Sequence, residues 1–230
     1  MMLLLAVDTS GKNGSIALAR VTENAPEVEI VETVPLAGGT FSAQLIPQIS
    51  ALLAKHGFSK SDLAGFAAVS GPGSFTGLRV GLAAIKALGE VLQKPIAVVS
   101  LLEAIASSGH HCGRILAALD AGRGEVYVGD YEVSGAECDP PSRAHSERLL
   151  TREEFIAEAK GKPVITPDAA LAEALQAAGI ETERIAYPGS NVIARLGWER
   201  IQRGETVSPD AVEANYIRRS DAEIFSQPKP

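Results

Sequence analysis

Cysteine is scarce in this chain. Cys112 and Cys138 are its only two, and they form no paired motif. That argues against a disulfide framework or a zinc ribbon and fits a reducing compartment. Basic charge is in deficit, with a formal net charge of −7. A freestanding nucleic-acid binder would need a basic stripe to neutralise phosphates, so direct binding is disfavoured. An acidic subunit whose partner holds the nucleic acid remains compatible. Aromatic residues make up 5% of the chain, while glycine numbers 22. That balance suits helices packed closely on a sheet. No apolar run reaches the roughly 20 residues that span a bilayer. The opening Met1-Met2-Leu3-Leu4-Leu5-Ala6-Val7 has no basic flank and runs into Asp8. It reads as a buried strand rather than a signal peptide, and a cytoplasmic location is expected.

What the chain does have is a specified turn. The apolar run Leu63 to Val69 has strand length and stops at Ser70. Gly71, Pro72 and Gly73 follow, and Ser74 or Thr76 can cap the helix beyond. That helix is expected over 76–93, ending before Pro95. At about 100° per residue, Gly77, Gly81, Ala84 and Leu88 join Val80, Leu82, Ile85 and Val91 in one wide apolar arc. The arc is too wide for an ordinary surface helix, so burial on two sides is expected. The second neighbour is either a helix of this chain or one of a partner. A central core helix with no partner role fits the pattern equally.

The first half reads as three strands (3–7, 15–21 and 27–34), a helix over 41–56, the strand to Ser70, the wide-arc helix, a strand over 96–100 and a short helix over 101–107. In the 41–56 helix, Phe41, Leu45, Ile49, Leu52 and Leu53 recur at helical spacing and Gly57 follows as a C-cap. Pro47 marks a true first turn or bends the axis. The second half restarts the pattern. Strands are expected over 114–119, 125–132 and 146–150, then a helix over 152–160 capped by Thr151. A strand over 163–166 and helices over 169–178 and 191–202 complete it. A Pro-containing loop is expected over 136–143, and the tail from Pro209 shows little pattern beyond Val212 to Ile217. Asp8 and Asp120 hold matching places in the turns after each opening strand. Two structurally related lobes are implied.

Chemistry is sparse. A Walker loop needs Lys after its second glycine, and here Gly77 is followed by Leu78-Arg79. The turn of Asp8, Thr9 and Ser10 through Gly14 can cradle a phosphate on backbone N–H groups, with Asp8 near a Mg²⁺. A plain hairpin needs the same residues and is the stronger reading. Ser74 sits between strand and helix but lacks the flanking glycines of a nucleophile elbow, and capping accounts for it. His56, His110, His111 and His145 form no metal-binding spacing, and the adjacent pair would point oppositely in a strand. No carboxylate pair stands out as an acid–base couple.

Three blocks carry a resemblance: Leu5-Ala6-Val7-Asp8-Thr9-Ser10, Ser70 through Gly81, and Ala118 through Tyr127. In order and spacing they closely resemble the bacterial TsaB (YeaZ) family, which takes part in forming N6-threonylcarbamoyladenosine next to the anticodon of tRNA. The match runs from Leu3 to about Tyr131, and the Gly-Pro-Gly-Ser-Phe-Thr-Gly block is highly specific. It thins afterwards and returns near 213–218, where Ala214-Asn215-Tyr216-Ile217-Arg218 lacks the family's usual Pro. The family often has His before Ser at the start of its first helix, and here the pair is Phe41-Ser42. The resemblance implies an α/β chain with the actin-like ATPase (ASKHA) fold. Its two related lobes would each have a mixed β-sheet flanked by helices, divided as 1–100 and 101–230. It implies a non-catalytic scaffold for the paralogue TsaD, with the ATPase TsaE joining the complex, a homodimer when alone, and tRNA met only through the complex. It implies partner contact through helices 41–56 and 76–93, using Leu45, Ile49, Leu52, Leu53, Gly77, Gly81, Ala84 and Leu88. No intrinsic cofactor or metal is implied, and a nucleotide at the junction with TsaD is left open. The competing reading is an active ATPase or small-molecule kinase of the same fold, with Asp8 and Asp120 holding Mg-ATP. A metallopeptidase is disfavoured by the histidine spacing.

Overall fold

A computed structural model describes residues 2–23, 25, 27–133 and 142–218, with the side chains of 142–145 set aside. Most of the expected loop 136–143, Cys138, the ring of His145 and the tail beyond 218 lie outside the described residues. The chain opens with strands β1 (Met2–Asp8), β2 (Gly14–Val21) and β3 (Val28–Leu36), then helix α1 (Phe41–Lys55). Next come β4 (Leu63–Gly71), α2 (Phe75–Leu92), β5 (Ile96–Ser100) and α3 (Leu101–Ala106). The order then repeats as β6 (Gly113–Gly122), β7 (Glu125–Val133), β8 (Ser142–Thr151) and α4 (Arg152–Glu158). It closes with β9 (Val164–Thr166), α5 (Ala169–Ala177), β10 (Thr182–Arg184) and α6 (Ser190–Gln202).

The topology makes the repeat explicit. One sheet has the order β3-β2-β1-β4-β5 and the other, taken from its far edge, β8-β7-β6-β9-β10. In each, the first three strands pair antiparallel and the last two join in parallel. β1 is apolar on both faces because both are covered, which is why its sequence runs without alternation. Leu3, Leu5 and Val7 face α1 and α2, while Leu4 and Ala6 face the opposite side.

That opposite side joins the two halves. α6 packs on β1, β2, β4 and β5, and α3 packs on β6 and β7. Leu4, Ala6 and Val69 of the first sheet share one buried cluster with Ile115, Ala117 and Ile165 of the second, through Leu102, Ile105, Ile193 and Trp198. Each fully buried Leu or Ile there contributes roughly 1.5–3 kcal/mol of hydrophobic stabilisation. The layers run α1/α2, first sheet, α3/α6, second sheet, α4/α5. The sheets divide at residue 100, but the helices do not respect that division. The expected second lobe of 101–230 is corrected in this respect: α6 and the buried Val212 belong with the first sheet. The close seat of α6 on the sheet requires glycine at 197, since a Cβ there would lie 2.3 Å from that of Ala67. No described helix is long and apolar enough to cross a membrane.

Candidate functional site: the cleft and the outer helix face

The turn between β1 and β2 is held from within. The amide and hydroxyl of Ser10 both donate to Asp8 Oδ1, at 2.8 and 2.6 Å. Asp8 is buried, and burial raises its carboxyl above the ordinary range, opposed by the two bonds from Ser10. Thr9 Oγ1 donates to the carbonyl of Gly77 at 2.7 Å. All three side chains suggested for a cofactor are therefore brought together and used by the turn itself. Only Ser10 also lines the adjoining cleft.

The Gly-Pro-Gly turn locks onto this hairpin. The Gly71-Pro72 peptide is cis. Ser74 N donates to Ser10 O at 2.7 Å, and Ser74 Oγ caps α2 by accepting from Gly77 N at 3.3 Å. Ser74 is thus the N-cap, and Thr76 is an exposed first-turn residue on the cleft wall. A Cβ on Gly73 would fall 2.6 Å from Ser10 O, on Gly77 2.1 Å from Thr9 O, and on Gly81 2.3 Å from Thr9 Oγ1. The small face of α2 is the seat of the β1–β2 turn.

This corrects the expected partner interface. Gly77 and Gly81 face Thr9, and Leu45, Ile49, Leu52 and Leu53 are buried in the cluster between α1, α2 and the first sheet. Six of the eight proposed contacts point inward, because the main apolar stripe of an amphipathic helix goes to its own core. Ala84 and Leu88 are half-buried against the same cluster. The second neighbour of α2 in this chain is α1. What remains outward is different: Val91 is 73% exposed and Ile46 50% exposed. Ala83 and Ala87 are exposed between Arg79 and Val91. Phe75, Arg79, Ala83, Ala87 and Val91 are spaced by four and form one ridge along α2.

A cleft of about 940 Å³ separates the β1–β2 turn and the start of α2 from the β6–β7 turn. Lys12, Asn13, Ser42, Asp120, Tyr127, Asp168, Tyr187 and Arg218 are among its walls. Asp120 stands where the repeat puts it, and Arg152 Nη2 lies 3.9 Å from it. Asp168 Oδ2 accepts from Asp120 N at 2.6 Å, and burial raises the Asp168 carboxyl. Burial also raises the Tyr187 hydroxyl, with the Asp8 charge adding to it. Its oxygen would lie 3.1 Å from a Cβ on Gly11. Sequence reasoning missed Asp168, Tyr127, Tyr187 and Arg218 as cleft residues. By its place before the helix over 169–178, Asp168 reads as a cap, but at that N-cap its side chain makes no capping bond and turns to Asp120 N instead. Tyr187 lies in a patternless stretch. His110 and His111 lie before β6 and not in a strand, so the opposite orientation expected of a strand pair does not apply. His110 Nδ1 pairs with Glu183 at 2.6 Å and His111 Nε2 lies 3.9 Å from the same carboxylate.

A duplicated β-β-β-α-β-α-β-α unit with a cleft between its hairpin turns defines an actin-like ATPase fold. A family model described as "TsaD: tRNA N6-adenosine threonylcarbamoyltransferase" matches residues 35–165. The tRNA threonylcarbamoyladenosine biosynthesis protein TsaB of Bacillus subtilis is 33% identical over 165 residues, covering 71% of this chain and 69% of the relative. The TsaB of Escherichia coli is 26% identical over 233 residues, covering 96% of each. The solved structure of YeaZ from Pseudomonas aeruginosa matches with a TM-score of 0.76 at 26% identity, over 94% of this chain and 100% of that one. This chain belongs to the TsaB (YeaZ) family.

Proposed function

We propose that this chain serves tRNA threonylcarbamoyladenosine biosynthesis as a non-catalytic subunit that binds and activates the transferase TsaD. The observation that carries the reading is the outward ridge of α2, with Ala83, Ala87 and Val91 exposed, together with the exposed Ile46 of the neighbouring α1. Small residues in its middle allow another helix to approach closely, and the larger Ile and Val supply apolar area at about 25 cal/mol per Å² before ordering costs. The TsaB names of its relatives and the match to a TsaD description support the same pathway. The use of Asp8, Thr9 and Ser10 within the turn supports a non-catalytic role. TsaE joins the complex, the free chain pairs with itself through the same ridge, and tRNA meets the assembly through TsaD, as the net charge of −7 favours. The location is cytoplasmic. The test is reconstitution of threonylcarbamoyl transfer. TsaD with TsaE is expected to be idle until this chain is added, and this chain alone is expected to do nothing. Transfer at full rate without it overturns the reading.

The cleft of about 940 Å³, lined by both hairpin turns, favours a second reading as an ATPase or small-molecule kinase. Calorimetric titration of the isolated chain with Mg-ATP decides between them. Saturable binding with turnover sustains the enzyme, and no heat beyond dilution sustains the scaffold. A nucleotide held only once TsaD is added places it at the subunit junction.

A further inference from the structure

We infer that residues 207–218 are a clasp that fixes the two lobes at one opening and couples the cleft rim to the start of α2. The segment leaves α6 and anchors first on the first lobe. Val207 N donates to Ile96 O at 2.9 Å, Val212 is buried in the α1/α2 cluster, and Lys86 Nζ donates to Asp210 O at 3.2 Å. It then changes sides at one residue. Asn215 N donates to Ser70 O of β4 at 2.7 Å, while its side-chain Nδ2 donates to Glu147 Oε2 of β8 at 2.8 Å. The other oxygen of Glu147 accepts from Tyr131 Oη at 2.7 Å, so the carboxylate is fixed before Asn215 reaches it. Gly71 leaves the necessary space. Its φ is +140°, and a Cβ there would lie 2.6 Å from Asn215 O.

The next residues tie down the rim. Tyr216 stacks on Phe75 with ring centroids 5.0 Å apart, and Arg79 Nε donates to Tyr216 Oη at 2.9 Å. The Arg79 guanidinium lies 3.7 Å over the Phe75 ring, so three side chains from α2 and the segment form one stack. Arg218 then reaches the β6–β7 turn. It pairs with Glu125 and donates to Gly122 O at 3.3 Å, and its guanidinium forms part of the cleft wall. Asn215, Tyr216 and Arg218, within four positions of one another, therefore hold the end of β4, the start of α2, β8 and the β6–β7 turn together. In a two-lobed fold the lobes open by rotating about their shared layer, here α3 and α6. A tie at the rim opposes that rotation with the longest lever.

Hydrogen exchange on the full chain tests this, with Arg218→Ala and Glu125→Gln as variants. The Asn215 amide and the amides of 122–125 are expected to exchange about tenfold faster or more in both variants, while those of α6 stay unchanged. The double variant is expected to match the single ones, because the pair acts as a unit. Trp198, the one tryptophan of the chain and buried on α6, reports by its emission that the central layer is intact. Should Arg218→Ala loosen the whole chain, Glu125→Gln alone carries the test. Unchanged exchange at Asn215 and 122–125 in Glu125→Gln, or effects that simply add in the double variant, overturns the clasp.

Discussion

The two lobes share one strand plan and differ in what they build on it. The first lobe carries helices of 15 and 18 residues and parallel strands of 9 and 5. Its counterparts in the second lobe are helices of 7 and 9 and strands of 3 and 3. The long α2 keeps an apolar ridge facing out, ending at Val91. On α4 and α5, the exposed positions include Glu153, Glu154, Glu173 and Gln176. The hairpin turns differ as well. Asp8 is buried and bonded to Ser10, whereas Asp120 is exposed at the cleft with Arg152 nearby. The same strand plan therefore carries a long outer helix with apolar residues exposed in one lobe and short helices with charged and polar exposed positions in the other.

The contrast breaks most severely at the seat of the β1–β2 turn. Gly77→Val or Gly81→Leu forces a side chain into Thr9 and is expected to cost about 3 kcal/mol or more, read by urea unfolding. A surface change on the matching helix of the second lobe, Glu173→Leu, is expected to stay within about 0.5 kcal/mol. Next comes the ridge. Val91→Asp or Ala87→Glu is expected to abolish self-association in sedimentation experiments and to leave unfolding within about 0.5 kcal/mol of the parent. Gln176→Asp on the second lobe should change neither.

The buried carboxylates sharpen the comparison through pH. Burial raises Asp8, so the folded state holds its proton longer than the unfolded state, and this group makes stability fall as pH rises from about 4. Asp8→Asn is therefore expected to raise the melting temperature at pH 7, with the gain vanishing below pH about 4. Asp130 in the second lobe is the opposite case. Hydrogen bonds from Arg114 Nε and Nη2, at 2.9 and 2.8 Å, hold its carboxyl below the ordinary range despite burial. Its contribution is present above the unfolded value and is lost as pH falls through the folded one. Asp130→Asn is expected to lower the melting temperature at pH 7 and to matter least in acid. A modest loss of stability is expected at α4, where Thr151 Oγ1 accepts from Glu154 N at 3.2 Å. Thr151→Ala is expected to cost about 1 kcal/mol in thermal unfolding.

Much of this plan was legible in the sequence. Leu3 to Val7, Leu63 to Val69 and Ile96 to Ser100 read as strands because each is an apolar run between turn residues. Thr151 marks the start of α4 as its cap, and the structure adds Glu154 as the reciprocal member of a capping box. β10 was not legible, because Thr182–Arg184 is too short to show a period. Nor was the docking of α6 on the first sheet, a contact between residues more than a hundred positions apart. The glycines of α2 were legible as a place of close approach, but spacing does not say what approaches. The neighbour is Thr9 of the same chain. The outward face was legible only in part for a related reason. Val91 falls within the wide apolar arc, but the pattern does not separate it from the buried members, and Ile46 and Ala87 lie beside much stronger stripes.

The most direct measurement is threonylcarbamoyl transfer by TsaD and TsaE, with wild-type chain compared against Val91→Asp at matched concentration. Wild type is expected to restore transfer, and Val91→Asp, equally folded, is expected to fail both to bind TsaD and to activate it. Full activation and binding by Val91→Asp would contradict the claim that the outer face of α2 carries the function.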